Sequence, residues 1–332
     1  MTSASPSLPL CQLISTGGTI AMKIDPVRNA PVPALSGDDL VAIVPGISRI
    51  ARLEVNNLSN VPSDYMDPER WVALQRAVEQ AIARPDISGV IVSHGTDTLE
   101  ETAWFLDLTV RSDKPLVLIG AQRNASSPDF DGPRNLLNAA RICAASNTRG
   151  MGAVIAMNNQ INAAREVSKT HTADVETFKS GDFGLLGVID EDRIVISRTT
   201  ARRQYMEIGR SVLPRVEIVP MFGGASGDLI RAAVGLGAEG IVVQALGFGN
   251  VNEAMYEAIR EAIAGGVPVA ISTRVPNGRV QPSYGFVGGG QTLKAIGAVF
   301  ADNLSPQKAR ILLMLALQET RDGQMLQDIF DR

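Results

Sequence analysis

At 332 residues, with 45% hydrophobic and 20% charged residues, the chain has ordinary globular composition and more length than one small core needs, so two α/β domains are expected. Its net charge of −4 comes from 31 basic and 35 acidic residues interleaved along the chain, leaving no basic stripe for a nucleic-acid partner. No stretch approaches a membrane span, and the opening Met1-Thr2-Ser3-Ala4-Ser5-Pro6 has neither a basic n-region nor an apolar h-region, so no membrane partner and a cytoplasmic location are expected.

Short apolar runs recur at residues 10–14, 89–92, 116–119, 154–157, 218–221, 240–243 and 267–271, each followed by a glycine or polar turn and then a helical pattern. That rhythm predicts parallel βα units. Between the runs, Trp71, Leu74, Val78 and Ile82 recur at helical spacing, as do Leu99, Ala103 and Leu106, and read as core-facing stripes. Residues 184–197 read as a strand pair turning at Glu191-Asp192, after which residues 198–213 become polar, basic and aperiodic. The expected boundaries are an N-terminal domain over 1–198, a linker over 199–214 and a C-terminal α/β domain over 215–332. A last helix opens at Ser305-Pro306, where serine caps and proline suits the first turn.

The two cysteines, Cys11 and Cys143, cannot staple a fold of this size, and neither has sequence neighbours that suggest a metal or redox pair. Both read as core thiols. The two histidines, His94 and His171, are too few for a zinc set, no Gly-x-Ser-x-Gly elbow is present, and no metal or cofactor is expected.

Ligands of open parallel sheets bind where strands end, which directs attention to two turns. Thr16-Gly17-Gly18-Thr19-Ile20-Ala21 follows the first strand; its glycines let backbone amides approach a ligand, and it reads either as that or as a tight structural turn. In Ser93-His94-Gly95-Thr96-Asp97-Thr98-Leu99-Glu100-Glu101 a hydroxyl, a carboxylate and exposed amides converge at a helix start. The alternative there is a helix cap by Asp97 or Thr98. A threonine nucleophile needs a partner to manage its proton, and Lys169, in Val167-Ser168-Lys169-Thr170, is a candidate whose plainer reading is a solvated surface charge.

Taken together, Thr16-Gly17-Gly18-Thr19-Ile20-Ala21 and His94-Gly95-Thr96-Asp97-Thr98 with Glu100-Glu101-Thr102-Ala103 resemble the two signature segments of bacterial L-asparaginases. So do Ile119-Gly120-Ala121-Gln122-Arg123 with Asp131-Gly132-Pro133, Ser168-Lys169-Thr170 through Thr177-Phe178-Lys179-Ser180, and Ser305-Pro306-Gln307-Lys308-Ala309-Arg310. The resemblance implies an α/β fold with a larger N-terminal domain on a mostly parallel sheet, a smaller doubly wound C-terminal domain, and a homotetramer built from dimers. It implies Thr19 as the nucleophile giving an acyl-enzyme, and Thr96, Asp97 and Lys169 as the proton-handling set. The amino-acid substrate would be held by Gly18, Ser63, Asp64, Gly95, Thr96, Asp97 and Ala121, with Asp97 taking the ammonium, the Ala121 carbonyl the side-chain amide, and amides near Gly18 and Thr96 the oxyanion.

Three departures accompany the resemblance. The lid of the family usually carries a tyrosine, yet residues 22–35 contain none and Tyr65 is the nearest one; Pro26, Pro31 and Pro33 predict an irregular, partly stiffened loop. Where many relatives place an asparagine between two glycines, this chain reads Gly247-Phe248-Gly249-Asn250. The glutamate often contributed by a neighbouring subunit is missing from residues 274–290, where Val280-Gln281-Pro282-Ser283-Tyr284-Gly285 stands. The alternatives are an amidohydrolase preferring glutamine or a D-amino-acid amide, and a non-catalytic amino-acid-binding protein on the same scaffold. A tRNA-dependent amidotransferase subunit is not expected, because it would carry an extra domain ahead of Thr16.

Overall fold

The computed structural model describes residues 8–191, 193–210 and 212–332. The Asp192 half of the predicted turn and residues 1–7 therefore lie outside the description. The chain divides between Arg203 and Gln204 into two units, and the described residues between Ile196 and Val216 form neither helix nor strand.

The first unit opens with β1 (Leu10–Gly17), buried along its whole length, and a hairpin of β2 (Met22–Asp25) and β3 (Ala30–Pro33). Helix α1 (Gly37–Ala42) follows, then β4 (Arg52–Val61), α2 (Pro68–Ala83), β5 (Ile87–Ser93), α3 (Leu99–Thr109) and β6 (Leu116–Ile119). Next come α4 (Gly132–Ala144), β7 (Ala153–Met157), β8 (Gln160–Ala163), the short pair β9 (Ser168–Lys169) and β10 (Phe178–Lys179), and β11 (Gly187–Asp190) with β12 (Arg193–Ile196). Eight strands form one sheet in the order β12-β11-β8-β7-β6-β5-β1-β4. The run from β7 to β4 is parallel, and the β8, β11 and β12 end is antiparallel.

Central strands such as β5 and β6 are continuous apolar runs because helices cover both faces of a parallel sheet. The β4 strand, at an edge, alternates between exposed and half-buried positions and is rich in Asn, so it lacks the apolar run by which the central strands are legible. The β7–β8 hairpin turns on Asn158 and Asn159, at φ 49° and 61°, a two-residue loop with both residues left-handed. That is the type I′ geometry Asn favours, and Asn-Asn beside an apolar run is the signal that could have located it. Helix α2 starts where Asp67 accepts from the Arg70 amide, with Pro68 at its first position. It buries Trp71, whose ring stacks on Phe105 of α3 at 5.5 Å.

The expected irregular loop over residues 22–35 is corrected: most of it is an antiparallel hairpin. Pro31 and Pro33 face Ile24 and Met22, whose backbone groups bond away from β3, Ile24 N to Ser126 Oγ and Met22 O to the Ala125 amide. The prolines thus occupy positions where the hairpin ladder needs no N–H, and they do not break it. Asp25 Oδ1 accepts from the Val27 and Arg28 amides and closes the turn.

The second unit has β13 (Val216–Pro220), α5 (Asp228–Gly235), β14 (Gly240–Ala245), α6 (Glu253–Ala264) and β15 (Val269–Thr273), followed by α7 (Gly290–Ala295), β16 (Val299–Phe300), α8 (Pro306–Ala316) and α9 (Gly323–Phe330). Its four strands are parallel in the order β13-β14-β15-β16. The Ser305 hydroxyl accepts from the Lys308 amide at the start of α8, the cap expected from Ser305-Pro306. Among the described residues no helix is long and apolar enough to cross a membrane.

Candidate active site

Strands β1, β5 and β6 run parallel and in register, so the turns that follow them emerge at one end of the sheet. The first two are pressed together by glycines. Gly18 sits at φ 83° and ψ −177°, a region open essentially to glycine alone, and a Cβ there would lie 2.1 Å from Gly95 Cα and 2.2 Å from Gly95 N. A Cβ on Gly95 would in turn meet Ser63 Oγ at 2.7 Å. The backbones of the Thr19 and Thr96 turns are therefore in direct contact, and the Ser63 side chain packs against Gly95, an arrangement that side chains at 18 or 95 would prevent.

The second turn is tied into a network. Lys169 Nζ donates to Thr96 Oγ1 at 2.9 Å and to Asp97 Oδ1 at 2.5 Å. Its side chain is only 16% exposed, which removes the surface-charge reading of Lys169, whereas Asp97 is 61% exposed. A pair so open to water adds little to stability, so its contribution is to position the ammonium rather than to hold the fold. The Lys169 amide donates to Glu100 Oε2 at 2.5 Å, and the β9–β10 pairing fixes its strand. The helix-cap alternative holds in position only: Thr98 is the N-cap residue of α3, but no side chain bonds the helix amides there, and the Thr98 hydroxyl donates instead to the Ser63 carbonyl at 2.8 Å.

His94 lies beneath this turn, fully buried, with Nδ1 2.6 Å from the Gly95 carbonyl and Nε2 2.9 Å from Thr102 Oγ1. A carbonyl only accepts, so Nδ1 carries the proton. Burial holds the imidazole pKa down at about 4, leaving Nε2 to accept from the Thr102 hydroxyl, whose oxygen accepts from Trp71 Nε1 at 2.9 Å. His94 is thus a neutral strut. The Nδ1 of His171 accepts from the Ala173 and Asp174 amides and shapes the loop between β9 and β10.

Ala121 is buried in the turn after β6. That turn is fixed by Asp131, which accepts from the Gln122 and Arg123 amides at 3.1 and 3.0 Å, and by Asn135, which donates to the Gly120 carbonyl. Gln122 Oε1 lies 3.4 Å from Thr96 Oγ1, and Gln122 Nε2 and Ser93 Oγ are buried without a partner in the protein among the described residues. Glu100, Gln122, Asp131 and Asn135 are supports that motif reading did not assign a role. The acidic and amide residues stood inside or beside the quoted segments, yet their partners lie up to 69 positions away in sequence.

The first turn is less constrained. Thr19 is half-buried, and no hydrogen bond to its hydroxyl forms among the described residues. The Gly18 amide is engaged with the Val61 carbonyl at 3.0 Å, so other amides must serve any oxyanion. Ser63 is buried, while Asp64 and Tyr65 are exposed, Tyr65 to 63%. Tyr284 belongs to the second unit, stacked on Phe248 at 6.3 Å and packed against Phe286.

A threonine in a glycine turn set against a lysine-linked threonine suits nucleophilic acyl transfer. The family description "Asparaginase, N-terminal" matches residues 11–202, and "Glutaminase/Asparaginase C-terminal domain" matches residues 215–330. The chain is 37% identical to L-asparaginase 2 of Escherichia coli, covering 99% of this chain and 94% of that one. It is 36% identical to the probable periplasmic L-asparaginase of Haemophilus influenzae, over 98% and 93% of the two chains. The crystal structure of the probable cytoplasmic L-asparaginase from Campylobacter jejuni superposes with a TM-score of 0.90 at 34% identity, covering 98% of this chain and 99% of that one. Both units are thus matched by the same family, and the chain belongs to the asparaginase family.

Proposed function

We propose that the protein hydrolyses the side-chain amide of L-asparagine to aspartate and ammonia, with Thr19 as nucleophile. The observation that carries this reading is the Lys169 ammonium joined to Thr96 at 2.9 Å and Asp97 at 2.5 Å, in a turn whose Gly95 touches Gly18 beside Thr19. Thr19 Oγ attacks the amide carbon and the C–N bond breaks. The hydroxyl proton leaves with the nitrogen as ammonia, and an ester to Thr19 remains. Water then attacks that ester, its proton returning to Thr19 Oγ as aspartate departs. In this reading the Thr96 hydroxyl, bonded to Lys169, relays these protons, with Lys169 stabilising the oxygen when it is deprotonated.

Asp97 is the exposed carboxylate in this cluster and suits an amino-acid ammonium even while bonded to Lys169, since a carboxylate has several lone pairs. Buried Ser63 and exposed Asp64 lie on the adjoining segment and complete the substrate end with Gly18, Gly95 and Ala121. A binding protein without turnover would have no use for a lysine bonded to the Thr96 hydroxyl, which disfavours that alternative. By likeness to the Campylobacter protein we place this one in the cytoplasm, and from the family resemblance we take it to be a homotetramer of paired dimers; cell fractionation and sedimentation test the two statements.

Ammonia release from asparagine, glutamine and their D-isomers, measured for wild type and Thr19→Ala, tests the reading. Turnover of L-asparagine that disappears in Thr19→Ala supports it. Release from none of the four amides returns the chain to the binding-protein alternative.

A further inference from the structure

Cys11 and Cys143 stand 132 positions apart, on β1 and on the last turn of α4, and both are buried free thiols. Cys11 pairs in register with Gly89 of β5. A Cβ built on Gly89 would lie 2.7 Å from Cys143 Sγ and 2.8 Å from Cys143 Cβ, so Cys143 fills the space that the missing Gly89 side chain leaves. That space is one inter-strand spacing, about 4.8 Å, from Cys11. The Cys143 thiol donates to the carbonyl of Val90, the residue after Gly89, at 3.8 Å, which sets its sulfur beside the strand pair that carries Cys11. Nothing in the asparaginase reading uses either residue.

We propose that Cys11 and Cys143 form an oxidation site, a buried dithiol that a peroxide closes to a disulfide, tying β1 to α4. Bonded cysteines need Cβ atoms about 3.5–4.5 Å apart, and closure would bring the terminal turn of α4 to that spacing from Cys11. Opening of that turn, one residue from the helix end, also admits a molecule as small as hydrogen peroxide. The roles divide by environment: the neighbouring Cys143 thiol lowers the Cys11 pKa, while burial pushes Cys143 up. Cys11, as thiolate, attacks one peroxide oxygen; the O–O bond breaks, and the departing hydroxide becomes water with the proton Cys11 lost. The resulting Cys11 sulfenic acid is attacked at sulfur by Cys143, whose proton leaves with the hydroxyl as a second water. Two thiols and one peroxide give one disulfide and two waters, with two electrons passing from sulfur to oxygen. The bond joins the strand leading into the Thr19 turn to the helix that follows Asp131.

The test exposes the folded, full-length protein to hydrogen peroxide, quenches, and denatures it for thiol titration, intact mass and peptide mapping. The expected result is a fall from two titratable thiols to none, an intact mass lower by two hydrogens, and a single cross-linked pair of peptides carrying Cys11 and Cys143. Dithiothreitol should restore both thiols. Cys11→Ser and Cys143→Ser should each abolish the loss of two hydrogens, and Cys143→Ser should trap the sulfenic acid on Cys11. The oxidised wild type should also unfold at a higher temperature than the reduced one, a difference absent in Cys11→Ser. Two thiols retained under peroxide, separate over-oxidation of each, or disulfides only between molecules would overturn the site. A disulfide that does not raise the unfolding temperature would overturn its role as a tie between β1 and α4.

Discussion

The two threonine turns differ in how far the protein has prepared them. Thr96 arrives with its hydroxyl bonded to Lys169, with Asp97 on the same ammonium and Glu100 holding the Lys169 backbone. Thr19 is held by its backbone alone: the glycines before it fit against Val61 and Gly95, and its hydroxyl has no partner among the described residues. The comparison teaches that preorganisation is concentrated in the proton relay, while the nucleophile is presented by shape and left free to be aligned by substrate.

The largest expected effect follows from removing either hydroxyl. Thr19→Ala and Thr96→Val should each reduce kcat on asparagine to below about 1% of wild type, with the circular dichroism spectrum unchanged, because each deletes a reacting or relaying oxygen and little buried area. If Thr19→Ala retained more than that with normal kinetics, the division of labour between the turns would be wrong. Lys169→Met should come next, lowering kcat by about a hundredfold while KM changes by less than about fivefold, since the ammonium acts on a proton in transit rather than on bound substrate. A change confined to KM would make Lys169 a binding group.

Gly18→Ala sharpens the comparison from the other side. The turn conformation disfavours any side chain, and the new methyl would overlap Gly95 backbone, so the two turns must separate. Loss of more than about tenfold in kcat is expected, and normal turnover would show that contact between the turns is dispensable. Smaller still is Tyr65→Phe. Tyr65 is 63% exposed on the Ser63 segment, and a tenfold fall in kcat, about 1.4 kcal/mol, would make its hydroxyl the activator that the lid hairpin lacks. The exposed position favours less than a threefold change, with Tyr284→Phe as the parallel control.

The smallest effect on activity concerns His94, whose role is structural. Its folded pKa of about 4 lies below the ordinary value of 6.5, so the unfolded chain binds its proton first. The stability that neutral His94 contributes is complete above pH 6.5 and is lost as the pH falls toward 4, up to about 3 kcal/mol. Urea unfolding followed from pH 7 to pH 4.5 should show this slope in wild type and a shallower one in His94→Gln. Equal slopes would place the acid sensitivity elsewhere.

Much of this was legible in the residues. The central strands announced themselves as apolar runs, and the Thr19, Thr96 and Lys169 segments carried the family resemblance before any geometry was known. What escaped was structure made by partners distant in sequence. The edge strand β4 hides its pattern among asparagines, and the lid hairpin hides behind prolines that happen to sit at its non-bonded positions. Glu100, quoted with the second turn, and Asn135, just beyond Pro133, carried no role until the backbone groups they hold came into view. Cys11 and Cys143 read as unrelated core thiols, because no spacing rule reveals that Gly89 leaves room for one to reach the other.

The account rests on Thr19, rather than Thr96, carrying the covalent bond. Mixing the enzyme with L-asparagine, quenching in acid during turnover and mapping the digested peptides by mass spectrometry tests this most directly, with Lys169→Met included because its slowed proton transfer should prolong the ester. The account predicts an aspartyl adduct confined to the peptide that contains Thr19, formed in wild type or Lys169→Met and absent from Thr19→Ala. An adduct on the Thr96 peptide, or full turnover by Thr19→Ala without any adduct, would contradict it.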